Sequence, residues 1–98
     1  AKAIKDLFGT HTKKLVLNAT KSMIGHGLGA AGAVEAIVTL LSMRDQMVHP
    51  TLNLEEPDPE CEGLDIVRDQ SRRSQIKYAL TNSLGFGGHN VTLCMKCP

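Results

Sequence analysis

Apolar residues fall along this chain in short blocks, separated by polar stretches that carry glycine or proline. Ala1-Lys2-Ala3-Ile4-Lys5-Asp6-Leu7-Phe8-Gly9 reads as the last turns of a helix closed by Gly9, a helix without a start, which leads us to expect a truncated chain. Leu15-Val16-Leu17 followed by Asn18 has the pattern of a short buried strand. Thr20 to Gly27 reads as a polar, glycine-bearing loop. From Leu28 to about Met43, length and propensity predict a helix. Glu35 is its only charge before Arg44, so the helix is apolar nearly all the way round and belongs in an interior.

Beyond it, Pro50, Pro57 and Pro59 require the segment from Val48 to Pro59 to be extended or turning. Leu64-Asp65-Ile66-Val67 reads as a short strand, and Arg68 to Lys77 as a polar, exposed stretch. Tyr78 to Ser83 and Asn90 to Met95 read as two more strands, flanking the turn Leu84-Gly85-Phe86-Gly87-Gly88-His89. Strand, loop, buried helix and then strands predict an α/β layer structure.

Ninety-eight residues allow one small domain, and a domain near that size buries only roughly 60–70% of its unfolded surface. With no Trp, one Tyr and two Phe, the chain looks like a piece of something larger, incomplete as a folding unit. A net charge of +1, with both signs interspersed, argues against a nucleic-acid partner, which would need a clustered basic stripe. No apolar run approaches the roughly 18 residues of a membrane span. Cys61, Cys94 and Cys97 lack paired zinc-site spacing, and the terminal CxxC follows a strand with no helix after it, so neither a metal nor redox chemistry is expected. Reduced thiols fit a cytoplasmic setting.

Candidate chemistry concentrates in Thr20 to Gly32. Gly27-Leu28-Gly29-Ala30-Ala31-Gly32 matches GxGxxG, with Asp45 lying 18 residues after Gly27. A dinucleotide fingerprint, however, needs a strand that turns directly into the first glycine, within a βαβ unit. Here eight residues separate Asn18 from Gly27, and no βαβ unit is visible in the sequence. The other reading starts from His26, just before the amino end of the helix, where unpaired N–H groups and the positive dipole end favour a neutral imidazole able to donate to an oxyanion. Lys21, five residues earlier, can reach the same space, and its charge works in the same direction. Glu35 on the apolar helix needs a partner if buried, and Lys21 is the obvious one. Spacing alone leaves a blander alternative open: Glu35 facing solvent and His26 as a capping residue without chemistry.

These same residues carry a resemblance. Thr20-Lys21-Ser22-Met23-Ile24-Gly25-His26-Gly27-Leu28-Gly29-Ala30-Ala31-Gly32-Ala33-Val34-Glu35-Ala36 resembles the lysine–histidine segment of the elongating β-ketoacyl-carrier-protein synthases. His49 to Pro59 is similar to their proline-rich connection, and Thr81 to Asn90 to their last glycine-rich turn. The three matches occur in family order and span essentially the whole chain. The resemblance implies a thiolase-like fold of two similar α/β halves, with this chain at the end of the second. It implies decarboxylative condensation: an acyl group held on a cysteine is attacked by the carbanion that malonyl-carrier protein yields on losing carbon dioxide. His26 then corresponds to the histidine that stabilises the enolate oxygen, Lys21 to the supporting lysine and Glu35 to its carboxylate. Gly85 and Phe86 correspond to the hinge and phenylalanine of the loop gating the acyl pocket. Leu84, which also lines that pocket by this match, replaces a more usual phenylalanine, and His89 stands where threonine is common. No cofactor is implied beyond the phosphopantetheine of the acyl carrier protein, which delivers the malonyl and acyl thioesters. A homodimeric parent is also implied.

The nucleophilic cysteine has no counterpart here, since Cys61, Cys94 and Cys97 fall outside its motif, and the first family histidine is expected upstream of Ala1. The 98-residue chain by itself is therefore expected to be inactive. A relative lacking the cysteine (a malonyl decarboxylase or a chain-length partner) and a nucleotide-binding module stay open as alternatives.

Overall fold

The computed structural model describes residues 1–98. Helix α1 (Lys2–Phe8) ends at Gly9, whose φ of 49° lets the chain leave the helix into a 3-10 turn, Gly9–Lys14. Strand β1 (Val16–Leu17) follows, half-buried where full burial was expected. The predicted loop from Thr20 to Gly27 contains a further short helix, α2 (Lys21–Ile24). The predicted helix from Leu28 begins as a 3-10 turn, Leu28–Ala30, and becomes α-helical only as α3 (Ala31–Asp45). Gly27, Gly29 and Ala30 are small enough for this tight entry, which brings the Ala30 N–H to within 2.9 Å of the Gly27 carbonyl.

Strands β2 (Met47–Val48), β3 (Asp65–Ile66) and β4 (Arg72–Arg73) are each two residues long. β1 pairs in parallel with β3, and β2 pairs with β4 in antiparallel fashion. The β1–α3–β3 order is thus a parallel crossover, which the sequence had not disclosed. β4 lies inside the stretch read as merely polar and exposed; it pairs with β2 through the backbone while the Arg72 guanidinium donates to Asp65 of β3 at 3.0 Å and 2.7 Å, and two arginines carry no strand pattern to reveal it.

Strands β5 (Tyr78–Gly85) and β6 (His89–Lys96) form a hairpin in register from Tyr78↔Lys96 to Gly85↔His89. Leu84 and Gly85, expected in the turn, are its last strand residues. The loop is only Phe86-Gly87-Gly88, and the positive φ of 82° and 83° at Gly87 and Gly88 closes it.

Helix α3 packs chiefly on β5 and runs antiparallel to it. Near its start, a Cβ added to Gly32 would lie 3.2 Å from Ser83 Oγ, so the helix approaches the end of β5 closely. At its other end Gln46 adopts the left-handed cap conformation (φ 52°, ψ 43°). Its side chain donates to the carbonyls of Met43 (2.6 Å) and Ile76 (3.0 Å) and accepts from the Ile76 N–H (2.8 Å). That side chain fastens the helix exit to the lead-in of β5.

The interior is thin. Only seven residues are buried, among them Ala31, Met43, Val48 and Val67. The surface of 7367 Å² is about a third larger than the roughly 5,500 Å² a compact chain of 10.6 kDa exposes. Much of the excess is apolar. Ile37 and Leu40 on α3 are 56% and 54% exposed, although the sequence assigns this helix to an interior. Between β1 and β5 lies an open cavity of about 710 Å³, walled by Val16, Leu17, Val38, Ser42, Tyr78 and Leu80 among others. No helix is long and apolar enough to cross a membrane.

Candidate active site

Lys21, the first residue of α2, reaches across to α3, where its Nζ pairs with Glu35 Oε1. Glu35 is buried; the Lys21 side chain keeps 40% of its surface in solvent. A carboxylate on an otherwise apolar helix requires such a partner, and of the two readings left open by spacing the solvent-facing one does not apply. The lysine keeps its charge where water can reach it and pairs with a carboxylate that is largely withdrawn from water.

α2 stops at Gly25, whose φ of 77° turns the chain outward and presents His26. The His26 Nδ1 accepts a hydrogen bond from the Leu28 N–H at 3.0 Å. An amide N–H can only donate, so this ring carries no proton on Nδ1, and its neutral form holds the hydrogen on Nε2. The amides of α3 itself begin further on, so the dipole argument made from sequence is corrected: one local N–H in the 3-10 turn orients the ring. Leu28 itself has a φ of 49°, unusual for a residue with a Cβ, where the loop turns into the 3-10 entry of α3. His26 is exposed and makes no hydrogen bond or ion pair with Lys21, so the two are neighbours along one loop and are not bonded.

Leu84, Gly85 and Phe86 lie at the tip of the β5–β6 hairpin, with Leu84 79% exposed and Phe86 fully so. Because β5 runs toward the start of α3, this tip and the His26 loop occupy the same end of the molecule. The cavity between β1 and β5 does not include His26, Lys21 or Glu35; His26 and Lys21 are exposed at the amino end of α3, with Glu35 buried beneath.

Sequence reasoning missed a strap under this loop. Asn18 Nδ2 donates to the His49 carbonyl (3.2 Å), Thr51 Oγ1 accepts from the Ala19 N–H (3.0 Å), and Ser22 Oγ accepts from the Leu52 N–H (2.9 Å). His49 Nε2 lies 3.0 Å from Thr20 Oγ1. The proline spacing marked residues 49–59 as extended, but nothing in it indicated what that segment holds.

Residues 1–55, more than half of the chain, match the family model described as beta-ketoacyl synthase, C-terminal domain. The chain belongs to that family. Among curated ketoacyl synthases, it is 50% identical over 95 residues to 3-oxoacyl-[acyl-carrier-protein] synthase 2 of Synechocystis and 53% identical over 95 residues to the protein of that name from Staphylococcus aureus. In both cases 97% of this chain is covered but only 23% of the relative, so the chain spans about a quarter of the length of the ketoacyl synthases it matches. Among solved structures, a type II polyketide ketosynthase in complex with its acyl carrier protein and bound to the hexaketide superposes with a TM-score of 0.92 at 40% identity, covering 98% of this chain and 23% of that one. A beta-ketoacyl synthase from Burkholderia phymatum superposes with a TM-score of 0.79 at 40% identity, over 84% of this chain and 20% of its own. The fold is therefore the α/β, thiolase-like fold of the ketoacyl synthases, and this chain corresponds to their C-terminal portion.

Proposed function

We propose that residues 1–98 form the C-terminal portion of a 3-oxoacyl-[acyl-carrier-protein] synthase, supplying the half of the active site that handles decarboxylation. The observation that carries this reading is the Leu28 N–H bond to His26 Nδ1, which leaves Nε2–H as an oriented donor on an exposed ring. In the proposed step the C–C bond of the malonyl thioester breaks toward the carbonyl and carbon dioxide leaves. The electron pair collects as an enolate, whose oxygen accepts from His26 Nε2–H. The carbanion then attacks the acyl thioester carbon, forming the new C–C bond and releasing the cysteine thiolate supplied by the rest of the enzyme. Lys21, fixed by Glu35, adds positive charge beside the developing oxyanion without competing as a proton source on the ring. Leu84, Gly85 and Phe86 at the hairpin tip border the acyl group. Partners on this reading are an acyl carrier protein presenting phosphopantetheine thioesters, the remainder of the same polypeptide and a second copy in a homodimer, in a cytoplasmic setting.

That the chain needs the remainder of the enzyme is supported by its excess apolar surface and by the cavity between β1 and β5. Removing one donor to an oxyanion costs about 10²–10³ in rate. The test is carbon dioxide release from malonyl-carrier protein by the full-length enzyme: His26→Ala is expected to lose that factor while acylation of the nucleophile persists. Undiminished release would overturn the assignment.

A further inference from the structure

The strap beneath the Lys21 loop has one member whose chemistry singles it out. His49 Nδ1 lies 2.9 Å from the Pro50 carbonyl, which can only accept, so the hydrogen is on Nδ1. In the neutral ring, Nε2 then offers a lone pair to the Thr20 hydroxyl at 3.0 Å, and Thr20 donates. Thr20 stands at the N-cap position of α2, where a threonine hydroxyl ordinarily accepts from a backbone N–H two or three residues on. It makes no such bond here; its side chain is committed 29 residues along the chain instead. A four-residue helix cannot sustain itself by its own hydrogen bonds, so α2 exists because it is held from outside. The next residue after Thr20 is Lys21, whose ammonium must meet a carboxylate on a different helix.

From this we propose that His49 is a positioning residue for Lys21: it grips Thr20 and so fixes the start of α2, and it touches no substrate. This deepens the function proposed above and rests on it for its kinetic consequence. In the full-length enzyme, His49→Ala and Thr20→Val each remove the bond from one side. Each is expected to lower kcat for malonyl decarboxylation per acylatable site about 5- to 20-fold with KM unchanged, and the double variant to lose no more than either single one. His49→Gln, which keeps an acceptor near the Nε2 position, restores the rate. In a Lys21→Met background neither substitution lowers the rate further. A purely structural role predicts instead equal losses with and without Lys21, and that result, or wild-type rates in both variants, overturns the proposal. If His49→Ala does not fold, Thr20→Val carries the same measurements. A second readout is independent of catalysis. Competitive acetylation, followed by mass spectrometry, is expected to find Lys21 more reactive relative to Lys13 in both variants and unchanged in His49→Gln. A full-length wild-type enzyme that releases no carbon dioxide sinks the functional reading alone, whereas unchanged Lys21 labelling sinks the positioning of Lys21 by His49.

Discussion

The two flanks of α3 are built on different principles. At its amino end, Lys21, His26, Thr20 and His49 are fixed by short polar contacts made entirely within this chain. Along its side and toward β1, the helix shows Ile37 and Leu40 to solvent and borders an open cavity. Hydrogen bonds are directional and specify geometry with few atoms, while apolar burial needs area from many. A chain spanning about a quarter of its relatives' length can therefore hold polar groups in place around only a thin core of its own.

The sharpest way to break this contrast is Ile37→Asp in the full-length enzyme. If the rest of the polypeptide covers that flank, burying an unpaired charge there costs about 3 kcal/mol or more, or abolishes folding. A denaturant midpoint within the range of ordinary surface substitutions would mean the flank faces water in the parent too. Next in size is an asymmetry in the ion pair. Lys21→Met strands a buried carboxylate and is expected to cost about 2–3 kcal/mol, whereas Glu35→Gln leaves a lysine that water already reaches and costs about 1 kcal/mol. Equal losses in thermal unfolding would show that both groups are equally buried in the assembled enzyme.

A smaller effect, about 1–2 kcal/mol, is expected for Gly87→Ala, because a φ of 82° is disfavoured for any residue with a Cβ. Its acyl-chain preference should shift with the hairpin tip; unchanged stability would mean that the turn re-forms in another geometry. The smallest concerns the far end of α3, as a control. The side-chain hydrogen bonds from Arg44, at 2.6 Å and 3.0 Å, together with its charge, hold the Asp45 carboxyl below its ordinary 3.8. A carboxyl lowered on folding contributes stability that is present above the unfolded value and fades as pH falls through the folded one. Carbon-13 titration should find Asp45 low and Arg44→Gln returning it upward, with the decarboxylation rate unchanged because the pair lies at the opposite end from His26.

What was legible in the sequence follows the same division. Helix α3 announces itself by an apolar stretch after a glycine-rich entry, the β5–β6 hairpin by two short strand-like stretches flanking a glycine-rich turn, and Glu35 by being a lone charge among apolar neighbours. Its pairing with Lys21 was readable because a buried carboxylate leaves few choices. β4, α2 and the β1–β3 crossover were not readable. Two arginines, a four-residue helix and two-residue strands have no side-chain period; the strands exist through backbone pairing with distant segments and α2 through side-chain bonds to them. The hold of His49 on Thr20 was invisible for a related reason: a single side-chain bond across 29 residues leaves no pattern at either end.

Leu28 carries a final consequence. Its side chain is 80% exposed, while its backbone holds a φ of 49° to turn the chain from the His26 loop into the 3-10 entry of α3. The position is thus constrained in handedness and nearly free in chemistry. Anyone recoding this loop should find glycine and asparagine accepted there, valine and isoleucine refused, and polarity almost irrelevant.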